Sequence, residues 1–111
     1  LAECIAATNE DIAKASMPIA LFGHVGDGNF HLVILVDAGN PNDLDEADAI
    51  NQRLVMRALA MGGTSTGEHG VGCGKLDFLD AEHGEAVSVM RAIKRALDPE
   101  NLLNPGKVVR I

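Results

Sequence analysis

His24-Val25-Gly26-Asp27-Gly28-Asn29-Phe30-His31 is the stretch whose reading decides the fold. Asp27-Gly28 is a strong two-residue hairpin signal, because a type I′ turn needs positive φ at both central positions. Centring the turn there and counting outward predicts that Gly26 faces Asn29, Val25 faces Phe30 and His24 faces His31. Directly opposed residues share one face of a strand pair, with Cβ atoms ~5 Å apart. Two imidazoles held that way can reach one ion. A histidine on an apolar strand is more often a satisfied core residue, and that plainer reading stands beside the metal or catalytic one. Asp27 and Asn29 in the same turn add weight to the second.

Outward from the turn, residues 19–24 and 31–36 read as two strands. The second, His31-Leu32-Val33-Ile34-Leu35-Val36, is apolar on both faces and so wants cover on each. One hairpin is marginal in water. Missing strands are expected either from upstream sequence or from another copy of the chain. Residues 1–14 read as an amphipathic helix with Leu1, Ile5, Ile12 and Ala13 on one side, broken at Ser16-Met17-Pro18. A loop over 37–43 leads into a helix over 44–61 with Ala47, Ile50, Leu54, Ala58 and Met61 as its stripe, stopped by Gly62-Gly63. Residues 64–75 read as irregular. A third helix is expected over 81–97, capped by Asp80, with Ala86, Met90, Ile93 and Leu97 inward and Asp98-Pro99 as its end. Residues 101–109 read as a turn leading into a short extended end.

Composition narrows the function classes. The 111 residues suit one compact domain, and a hydrophobic content of 47% is ample for a core. Three Phe with no Trp or Tyr argue against a base-stacking surface, and a net charge of -7 disfavours nucleic acid as a partner. Cys4 and Cys73 have no paired spacing and read as free thiols. No apolar run is long enough for a transmembrane segment. The first residue is Leu1 rather than methionine, so the chain is expected to be a piece of something longer or a processed product.

Gly67-Glu68-His69-Gly70-Val71-Gly72-Cys73-Gly74-Lys75 is the second chemical stretch. It is not a P-loop, because Leu76 follows the lysine where Ser or Thr should hold magnesium. Its glycine spacing is wrong for a dinucleotide fingerprint. In an extended segment neighbouring side chains point to opposite faces, so Glu68 could turn toward His24 and His31 while His69 turns elsewhere. Two histidines and a carboxylate leave positions open on a divalent ion, which suits a catalytic site. His69 would then be placed as a general base. The bland alternative is a glycine-rich surface loop with a solvated charged pair.

These segments, with Leu97-Asp98-Pro99-Glu100-Asn101-Leu102-Leu103-Asn104-Pro105-Gly106-Lys107, occur in an order and at separations that resemble the C-terminal part of the FAD-linked oxidases. That group includes glycolate oxidase, D-lactate dehydrogenase and D-2-hydroxyglutarate dehydrogenase, in the vanillyl-alcohol oxidase superfamily. The resemblance covers nearly all of the chain from Ile19 onward. It implies an α+β fold: residues 1–61 as part of a ferredoxin-like substrate cap, with an antiparallel hairpin plus helices, and 62–111 as a small helical segment returning to the flavin. It implies His24, His31 and Glu68 as ligands of a divalent metal, zinc or manganese. His69 matches the residue beside flavin and substrate, and Asn104 a tail asparagine near the isoalloxazine ring. The implied cofactor is FAD, with Glu68, His69 and Asn104 on the cofactor side and His69 as the catalytic base. The implied reaction oxidises a D-2-hydroxy acid to a 2-oxo acid, with a separate electron acceptor. The expected location is cytoplasmic, with inner-membrane association open, or mitochondrial in a eukaryote. Two other readings remain: a small metal-binding module of hydrolytic or regulatory type using His24, His31 and Glu68, and a non-catalytic dimerisation cap forming a homodimer.

Overall fold

A computed structural model describes all of residues 1–111. The chain divides into two units, Leu1–Gly62 and Gly63–Ile111. The elements are helices and one antiparallel hairpin, so the α+β class expected from the sequence is what forms.

The first unit opens with α1 (Ala2–Ile12), followed by β1 (Ile19–Phe22), β2 (His31–Ile34) and α2 (Pro41–Ala60). The start of α2 is built from its own residues. The Asn40 side chain accepts the Asn42 N–H at 3.1 Å, and Pro41 takes the first turn, where its missing N–H costs nothing. Gly62, at φ 77, follows the last turn and lets the chain leave it. α1 packs on α2 with Ile5 and Ile12 half-buried, as expected, but with the face turned toward Cys4 and Thr8. Cys4 and Thr8 are the buried residues of α1, while Leu1 is exposed. Polar contacts decide that face. Arg57 of α2 donates to Thr8 Oγ1 at 3.1 Å and to Asp11 Oδ2 at 2.7 Å, and Thr8 Oγ1 donates to the Cys4 carbonyl at 2.7 Å. A buried hydroxyl with both bonding capacities used is cheap to bury. On α2, Ile50 and Val55 go inward, and Met61, expected on the stripe, is exposed.

The two strands are shorter than expected, and they are the whole sheet. Their register is Ile19↔Ile34, Ala20↔Val33, Leu21↔Leu32 and Phe22↔His31. Ile19, Leu21, Leu32 and Ile34 are half-buried on one face, while Ala20, Phe22 and Val33 are exposed on the other.

The second unit holds α3 (Leu76–His83) and α4 (Ala86–Leu97). A single helix over 81–97 does not form. Gly84 sits at φ 53, ψ -128, a conformation closed to other residues, and splits the run. Asp80 therefore lies inside α3 rather than capping a helix. The inward set changes with it. Val87 is 1% exposed and joins Leu79 and Val109, with Val71 and Met90 packed against them, whereas Ile93 and Leu97 are exposed. No helix is long and apolar enough to cross a membrane.

Candidate active site

The loop from Gly23 to Phe30 is not the two-residue turn that Asp27-Gly28 suggested. Val25–Asp27 form a single 3₁₀ turn, closed by Asp27 N–H on the His24 carbonyl at 2.9 Å and Gly28 N–H on the Val25 carbonyl at 3.1 Å. Gly28 takes the left-handed conformation, φ 78, after it. Asn29 N–H returns to the His24 carbonyl at 3.2 Å. The expected pairs Gly26–Asn29, Val25–Phe30 and His24–His31 are therefore absent, and Phe22 is the strand partner of His31. A type I′ turn competes here with a longer loop whose neck can close tightly because residue 23 is glycine. A Cβ on Gly23 would lie 2.4 Å from Phe30 Cα and 2.7 Å from the Asn29 carbonyl oxygen.

The loop still brings the two imidazoles together. The ring centroids of His24 and His31 are 6.2 Å apart, with planes at 86°. Phe22 supports His31 edge-on, centroid to centroid 5.7 Å. His31 is half-buried on β2 and His24 is exposed on the loop. Both residues offer nitrogen donors of the kind borderline divalent ions take.

In the second unit, Glu68 and His69 lie on a turn rather than on an extended segment. His69 N–H donates to the Thr66 carbonyl at 3.1 Å, and Gly67, at φ 54, allows the reversal. The two side chains consequently do not diverge: His69 Nε2 is 3.5 Å from Glu68 Oε1, and both are largely exposed. The turn is anchored from both sides. Lys75 Nζ donates to the Thr66 carbonyl at 3.1 Å, and Glu82 accepts the Ser65 N–H at 2.9 Å and the Ser65 hydroxyl at 2.8 Å. Burial pushes the Glu82 carboxyl up, but hydrogen bonds from Thr64 and Ser65 outweigh it, and the group is held below its ordinary range. Glu82 and Lys75 escaped the sequence reading, because nothing local ties a helix glutamate to a serine 17 positions earlier.

The tail carries Asn104 at a sharp bend. Lys107 N–H donates to the Asn104 carbonyl at 3.2 Å across Pro105-Gly106, with Gly106 at φ 73, the signature of a type II turn. Asn104 is exposed, with φ 48. The tail does not run on as an extended end. Val108 is left-handed, φ 65, with Val109 N–H bonded back to the Lys107 carbonyl at 2.8 Å. Val108 N–H donates to the Gly72 carbonyl at 2.8 Å, which ties the tail to the loop bearing Glu68 and His69. Strain at a β-branched residue persists where its surroundings over-determine it, as this bond and buried Val109 do here.

Residues 1–108 match the family model for FAD linked oxidases, C-terminal domain. The chain belongs to this family. Individual members agree. It is 47% identical, over its whole length, to the Danio rerio protein named "Probable D-lactate dehydrogenase, mitochondrial", covering 22% of that protein. It is 43% identical over 98% of its length to the D-lactate dehydrogenase [cytochrome], mitochondrial, of Arabidopsis thaliana, covering 19% of it. It is 38% identical over 97% of its length to glycolate oxidase subunit GlcD of Bacillus subtilis, covering 23% of it. The chain thus spans about a fifth of the length of these relatives.

Proposed function

We propose that this chain is the C-terminal part of a flavin-dependent oxidoreductase that oxidises D-2-hydroxy acids to 2-oxo acids. In this reading residues 1–61 form part of the substrate cap and 62–111 the segment returning to the flavin. The carrying observation is the approach of the His24 and His31 rings within a segment matched by the FAD-linked oxidase family. His24, His31 and Glu68 would hold a divalent cation, zinc or manganese, each offering one donor atom. Two imidazoles and a carboxylate fit such an ion and leave positions open. When bound, the cation supplies a Lewis acid toward a substrate hydroxyl and carboxylate. A flavin supplies the hydride acceptor. The exposed Asn104 amide, which both donates and accepts, fits the polar edge of a flavin ring.

His69 takes the hydroxyl proton, so that proton and hydride together leave a 2-oxo acid. Its turn puts a carboxylate 3.5 Å from the imidazole, which orients the ring. A separate acceptor then receives the electrons.

The test uses the full-length protein. Anaerobic mixing with D-lactate, glycolate or D-2-hydroxyglutarate should bleach the flavin in a single turnover, and His69→Asn should slow that bleaching by at least about a hundredfold. Undiminished reduction would remove His69 from the base role. Metal content of the His24→Ala/His31→Ala variant should fall to background, and full retention would contradict the ligand set. A colourless protein that still binds metal would favour the small metal-binding module instead.

A further inference from the structure

Asp98, the first residue beyond α4, is buried. Its carboxylate accepts Leu102 N–H on Oδ1 and Leu103 N–H on Oδ2, each at 2.8 Å. Lys94, one turn back on α4, donates to Asp98 Oδ2 and also to the Leu103 carbonyl. Three bonds therefore converge on two consecutive residues, immediately before Asn104, and the Lys94–Asp98 pair ties their two sources together. Nothing apolar does this work, since the Leu102 and Leu103 side chains are 71% and 65% exposed. Asn101 N–H on the Asp98 carbonyl, at 3.0 Å, closes the same bend, and Asn101 and Asn104 flank it in left-handed conformations. A segment of this kind has many accessible shapes, and only the polar clamp selects one.

We infer that Asp98 and Lys94 are positioning residues: they hold the Leu102–Leu103 bend so that the Asn104 amide is presented to the flavin in one fixed orientation. This rests on the function proposed above. Asp98→Asn keeps the size of the side chain and one acceptor oxygen, but it turns an NH2 toward Leu103 N–H or Leu102 N–H and removes the charge that Lys94 meets.

The experiment is made on the full-length flavoprotein. In Asp98→Asn, hydrogen exchange at the Leu102 and Leu103 amides should quicken at least about tenfold while α3 and α4 stay protected. The flavin absorption bands should shift, and single-turnover flavin reduction should slow about tenfold with substrate half-saturation unchanged. In an Asn104→Ala background, Asp98→Asn should add less than about twofold, because the residue it positions is gone. Unchanged amide exchange overturns the clamp. An equal loss in both backgrounds overturns the positioning role, since Asp98 then acts by another route. If Asp98→Asn does not fold, Lys94→Met takes its place: it keeps the apolar stem and loses only the bonds to Asp98 and Leu103. A native flavin spectrum and reduction rate in Lys94→Met overturn the inference. A wild-type protein that no 2-hydroxy acid bleaches overturns the proposed function and Asn104's role with it, and the exchange data alone then separate a real clamp from none.

Discussion

Val87→Ala is the sharpest test of how the loop bearing Glu68 and His69 is held. Val87 is 1% exposed, and its unit has only Leu79 and Val109 as other buried apolar residues, with Val71 and Met90 against them. Losing two methyl groups removes about 1.6 kcal/mol of transfer free energy. A cavity that fails to collapse raises the cost to about 3 kcal/mol. Collapse is hindered, because Val109 is fixed by the bonded tail and Val71 by the bond from Lys75 N–H to its carbonyl, 3.2 Å. The upper half of that range, about 2–3 kcal/mol, is therefore expected. Against a margin of roughly 5–15 kcal/mol this is large. Urea melts read the global loss, and hydrogen exchange at Val108 N–H, bonded to Gly72, reads the local one. Val71 lies two residues from His69, so flavin reduction in the full-length protein should slow together with the loss of protection. A cost below about 0.5 kcal/mol, with Val108 still protected, would refute the reasoning, because the loop would then be held by something other than this cluster.

Gly23→Ala should distort the neck of the hairpin loop, since its Cβ would meet backbone at 2.4 and 2.7 Å; a loss of at least about 2 kcal/mol in urea melts and weaker zinc binding are expected. Arg57→Met should cost about 1.5–3 kcal/mol at neutral pH, as it strips charged bonds from Asp11 and Thr8. The Arg57 bond holds the Asp11 carboxyl below its ordinary value of 3.8, so this contribution is complete above that pH and is lost as pH falls through the lowered folded value. Melts of wild type and Arg57→Met should therefore converge on acidification, and a constant gap down to the lowest pH would exclude the linkage. Val108→Gly should stay within about 1 kcal/mol of wild type, because relief of roughly 1–2 kcal/mol at φ 65 offsets lost backbone restraint and half-exposed packing. Val109→Gly, at a buried position, should cost more than about 2 kcal/mol, and thermal melts compare the two.

Local chemistry was legible where one element carries its own instructions. Pro105-Gly106 marks the tail turn, whereas α2, expected from Leu44, starts at Pro41, because Asn40 caps it and the proline takes its first turn. The elements that departed from expectation did so through contacts distant in sequence. Arg57 reaches 49 positions back to Thr8, and with that bond the buried face of α1 moves away from Leu1. Gly84 reads as a tolerated helical glycine until its φ of 53 shows it as a break between two helices, and the inward face of α4 turns with it. Asp27-Gly28 signals a tight turn, but the close approach of Gly23 to Phe30 permits a longer loop. The candidate site residues were picked out as types in a pattern. Their supports, Lys75, Glu82, Lys94 and Asp98, are ordinary charged residues whose roles exist only in three dimensions.

The two imidazoles of the hairpin ride on unequal mounts. His31 belongs to a strand locked by its ladder, whereas His24 opens one turn of 3₁₀ helix, a geometry with weaker bonds. In the metal site proposed above the pair would form a vice with one fixed jaw and one sprung jaw, and a larger ion would be accommodated at Val25–Asp27 rather than by a slip of the strand register.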